Sequence, residues 1–128
     1  MKVLNKNYFD IDPEVRLEVV RLFNELRIHD MLPPHINREA QRLAELFTAV
    51  THDTILDAPI HPSALFSVIA SFLNTLHEMS EETPGISVLG SEKRQEILRL
   101  WGVMVDLAMK ASAVERFKEQ EESRAIRS

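Results

Sequence analysis

The sequence contains no cysteine, only three glycines, and no stretch of about 20 apolar residues. The absence of cysteine excludes thiol catalysis, disulfide cross-links and cysteine-ligated metal sites. No glycine-rich phosphate-binding loop and no G-x-S-x-G nucleophile motif is present. We therefore expect no membrane span, no cofactor and no catalytic residues, and a location in the reducing cytoplasm.

Basic residues are also scarce, with 15 Lys and Arg against 20 Asp and Glu, a net charge of −5. This balance opposes direct nucleic-acid binding, which needs a basic face. The length of 128 residues predicts one domain. Within it we expect an extended lead-in over 1–11 and a frayed tail over about 121–128.

Apolar spacing and capping residues predict an all-α fold of four helices with a long C-terminal helix. The first helix begins at Pro13 after the cap Asp12 and runs to about residue 29. Asn37 is the expected cap of the second helix, after a proline pair that stops any preceding helix. The third helix covers about 62–82. The fourth begins at Ser91 and ends near residue 120.

The third and fourth helices carry unusually few charges. No Lys or Arg occurs between Arg42 and Lys93, and residues 58–77 contain no formally charged side chain. A helix that is apolar nearly all round is normally buried. A four-helix domain offers such helices little cover, and each large apolar side chain left in water forgoes about 1.5–3 kcal/mol. This pattern predicts a homodimer through the third and fourth helices, or a tight complex with another helical protein. The alternative is an irregular monomeric bundle.

A row of small residues on the third helix would let a neighbouring helix approach closely, by analogy with small-residue packing in membranes. On the fourth helix, the single tryptophan is either core or partner surface, and methionine neighbours fit both interpretations. We expect Met79, Met104 and Met109 to be packing residues, and a methionine-lined groove for a partner helix is the alternative. The predicted interaction residues are Ser67, Ala70, Ser71, Asn74, Trp101, Met104 and Val105.

The stretch THDTILDAPIH at 51–61 offers a competing interpretation. The order His35, His52-Asp53, Asp106 resembles the metal-ligand order of all-helical HD-type phosphohydrolases. That resemblance implies a metal-dependent hydrolase. Helix-end chemistry also explains these residues: His52 suits a helix C-terminus when protonated, and Asp106 can pair with Arg99 or Lys110.

We expect a non-catalytic regulator that binds another protein, such as an anti-activator that sequesters a transcription factor. The acidic surface favours a basic partner, and DNA-binding regulators are basic. A structural subunit of a phage or secretion assembly is a further alternative.

Overall fold

The computed structural model describes residues 9–28, 32–52, 61–82 and 91–127, and within these ranges the regular structure is entirely helical. The prediction of an all-α chain is confirmed. The helices are α1 (Pro13–Ile28), α2 (Pro34–Val50), α3 (Pro62–Glu82) and α4 (Ser91–Arg127). No helix in this described part has the combined length and apolar character needed to cross a membrane.

Three of the four helices begin where the sequence predicts. At α1, the Oδ1 atom of Asp12 accepts a hydrogen bond of 2.9 Å from the backbone N–H of Glu14, so Asp12 is the cap. At α3, the N–H of Leu65 donates to the carbonyl of His61 at 3.1 Å, and Pro62 occupies the first helical position. The predicted start of α4 at Ser91 is also correct.

The predicted cap of α2 is wrong. The helix begins at Pro34, and Asn37 lies inside its first turn. The N–H of Asn37 donates to the carbonyl of Pro33 at 2.9 Å, which closes that turn. Proline suits the first helical position because its fixed φ matches the helix and its missing N–H has no partner there anyway. The proline pair therefore starts α2 as well as ending what precedes it.

The end of α4 also differs from the prediction of residue 120, since the helix continues to Arg127. Residues 116–127 contain no glycine or proline, and Glu, Gln, Ala and Arg are good helix formers. The described part of the predicted lead-in, residues 9–11, is non-helical as expected. The rest of the lead-in lies outside the described residues.

The core is built mainly from one side of each helix, and aromatic rings join the elements. Phe66 of α3 is fully buried, and its ring lies 5.8 Å from that of Phe9 and 6.1 Å from that of Phe47 on α2. Phe23 of α1 and Phe72 of α3 are 6.0 Å apart. Burial of Phe23, Phe47 and Phe66, each at most 2% exposed, contributes about 1.5–3 kcal/mol per ring. The core therefore shelters the large apolar side of α3 within the single chain.

The α4 helix runs antiparallel to α3. The contact between these two helices is the most extensive helix–helix contact in the described part of the chain. Glu115 accepts hydrogen bonds from the backbone N–H of Ser63 at 3.2 Å and from the Ser63 hydroxyl. A carboxylate at the first turn of α3 is favoured by the helix dipole. Because Ser63 stands at the start of α3, residues 116–127 of α4 extend past it by about 18 Å.

Ion pairs fix α4 against α1. Lys93 binds Glu25 of α1 and, at 3.1 Å, Glu96 of its own helix, and Arg99 binds Glu18 of α1. Burial opposes the charged form of Lys93, but the hydrogen bonds to Glu25 and Glu96 outweigh it. They raise the pKa of Lys93 above its usual 10.5. These pairs supplement the apolar core, which buries Ile97, Leu100 and Met104 of α4.

Candidate protein-contact groove

A shallow groove of about 320 Å³ runs between α3 and α4 on the surface of the chain. We call it the α3–α4 groove. The α3 wall is made of small side chains, because serine and alanine recur at helical spacing on that side. The α4 wall is larger and more apolar. The groove is lined by Ser67, Ala70, Ser71, Asn74, Trp101, Val105, Ala108 and Met109.

Large apolar side chains in this region are open to solvent. Trp101 is 37% exposed and Met109 is 68% exposed. Leu98, one turn before Trp101, is 43% exposed. Single exposed apolar residues are ordinary, but several adjoining ones around a groove are typical of a contact site.

Charge is absent from the lining of the α3–α4 groove, as far as the described residues show. The α3 helix carries no Asp, Glu, Lys or Arg between Pro62 and His77. On α4, Arg99 and Asp106 lie on the opposite flank, where they line a different cleft. The polar atoms in the groove are therefore neutral hydroxyl and amide groups, which are less costly to desolvate than charged groups.

Most of the predicted interaction residues come together here. Ser67, Ala70, Ser71, Asn74, Trp101 and Val105 all line the groove. Whether these residues bind a partner stays a prediction. Their position together on one surface is what the structure shows. Ala70 is only 6% exposed and lies at the base of the groove.

Met104 is fully buried among the core residues. Its expected packing role is therefore confirmed, and the prediction that it is a surface interaction residue is wrong. Met104 follows Trp101 by three residues, which turns it about 60° around the helix toward the core. The expected packing role of Met109 is also wrong for the single chain, because Met109 is 68% exposed. Ala108 and Met109 were missed as groove residues, although their spacing of three and four from Val105 was a usable signal.

A larger cleft of about 640 Å³ lies on the other flank of α4, against the start of α1. Its floor is apolar, from Ile11, Val15 and Val103, but its rim is charged. Two ion pairs involve rim residues: Lys110 binds Asp106 at 2.8 Å, and Arg99 binds Glu18. This composition is that of ordinary solvated helix surface.

The candidate metal ligands are only partly described. His35 is exposed in the first turn of α2, His52 follows the end of that helix, and Asp106 is exposed on α4. Asp53, with the neighbouring Asp57, lies outside the described residues. Among the side chains that the structure does describe, no three His, Asp or Glu residues are grouped so that they could hold a metal ion.

Comparison of the chain with models of protein families, with curated proteins and with solved structures gives no match.

Proposed function

We propose that this protein is a non-catalytic protein–protein interaction module that acts through the α3–α4 groove. In this proposal its helices form one bundle-like cytoplasmic domain, and the groove is its docking surface. One observation carries the proposal: Trp101 and Met109 are exposed in a groove whose described lining residues carry no charge. Exposed helix faces normally carry charged residues, so an exposed neutral face is typical of a surface that meets another protein.

The shape of the groove suits a helix as its occupant. Small side chains on the α3 wall leave room for a helix backbone, and Trp101 and Met109 on the α4 wall offer apolar contacts. Helix-in-groove recognition uses apolar anchors spaced by three or four residues. Tryptophan is also enriched among the residues that dominate binding energy at interfaces.

The charge of the chain favours a basic partner. The net charge of −5 would favour encounters with a cationic protein. A DNA-binding regulator is such a protein. Binding would occupy a surface that the regulator needs for dimerisation or for DNA, which is the action of an anti-activator.

Affinity capture from the native cell, with three versions of the chain as bait, tests this function. The versions are wild type, Val105→Arg in the groove, and Val114→Arg, which places the same charge at an exposed position of α4 outside the groove. We expect at least one other protein to be recovered with wild type and Val114→Arg and lost with Val105→Arg. Recovery of the same proteins with all three versions would contradict the proposal.

A further inference from the structure

We draw no further inference here: the strongest candidate, the cleft of about 640 Å³ between α4 and the start of α1, carries nothing because its rim charges include two ion pairs and no observation on the described residues shows what ligand or partner would cover its apolar floor.

Discussion

The two flanks of α4 differ in chemistry although both are open to solvent. On the flank toward α1, Arg99 and Lys110 are paired with Glu18 and Asp106. On the flank toward α3, the lining of the α3–α4 groove is neutral throughout the residues that the structure describes. Paired charges are what a helix carries where it meets water. The neutral flank has the composition of an interior without being covered, and this mismatch is the basis for placing a protein contact there.

The largest effect on stability is expected on the side of α4 that faces the core, next to its neutral flank. Met104→Ala should lower the free energy of unfolding by about 2–5 kcal/mol, because it leaves a cavity at a fully buried position. Trp101→Ala should lower it by less at low protein concentration, since Trp101 is 37% exposed in the single chain. Urea denaturation of both variants measures the difference. A greater loss for Trp101→Ala under these conditions would mean that Trp101 belongs to the core.

The next effect lies on the charged flank, at the start of α1. Asp12→Ala removes the acceptor for the N–H of Glu14 and should lower the free energy of unfolding by about 1 kcal/mol. Asp12→Asn keeps an acceptor oxygen and should retain most of that stability. Thermal unfolding of the two variants tests the cap. Equal loss in both would show that the charge of Asp12, rather than its hydrogen bond, stabilises the helix.

A smaller, pH-dependent effect is expected at the α1–α4 ion pairs. Lys93→Met should lower the free energy of unfolding by roughly 0.5–1 kcal/mol at neutral pH and low salt. The pKa of Lys93 is raised in the folded chain, so the stabilisation is fully present below the unfolded value. It is lost as the pH rises above 10.5 through the folded pKa. Denaturant titrations across this range should bring wild type and variant together, and a constant gap would contradict the electrostatic origin.

The smallest effect on folding should accompany a large effect on association. Ser71→Arg places a charge on the neutral flank at an exposed position, so the free energy of unfolding should change by no more than about 0.5 kcal/mol. The same charge should abolish self-association, measured as molar mass by light scattering. Gln41→Arg, an exposed position of α2, is the control and should leave the mass unchanged. Unfolding of Ser71→Arg would show instead that the small row packs within the chain.

Local signals made much of the fold predictable. Asp12 followed by Pro13 begins α1 because capping and proline geometry act within one turn. The long apolar pattern of α3 is local in the same sense. The error at Asn37 shows the limit of such signals, because a proline pair can end one segment and begin the next. The helix end at Arg127 is not predictable from charge, because a charged terminal segment is compatible both with fraying and with an exposed helix.

The groove was only partly predictable, because helical periodicity tells which residues share a side but not which neighbour covers that side. Trp101 and Met104 are separated by one helical turn on the same apolar stripe. Met104 points into the core and Trp101 lines the groove, because of where α3 packs against α4. The ion pair between Arg99 and Glu18 joins residues far apart in the sequence and helps to fix that rotation. Such long-range pairs leave no periodic signal.

The most direct test of the protein contact compares the two flanks of α4 in the native cell. A photoreactive side chain is introduced at Ser71 in the groove or, in a second version, at Asp106 on the charged flank. Covalent adducts with a protein, whether a second copy or another chain, should form on illumination at Ser71 and not at Asp106. Adducts of equal yield from both positions, or none from Ser71, would contradict the assignment of the α3–α4 groove as a protein-contact surface.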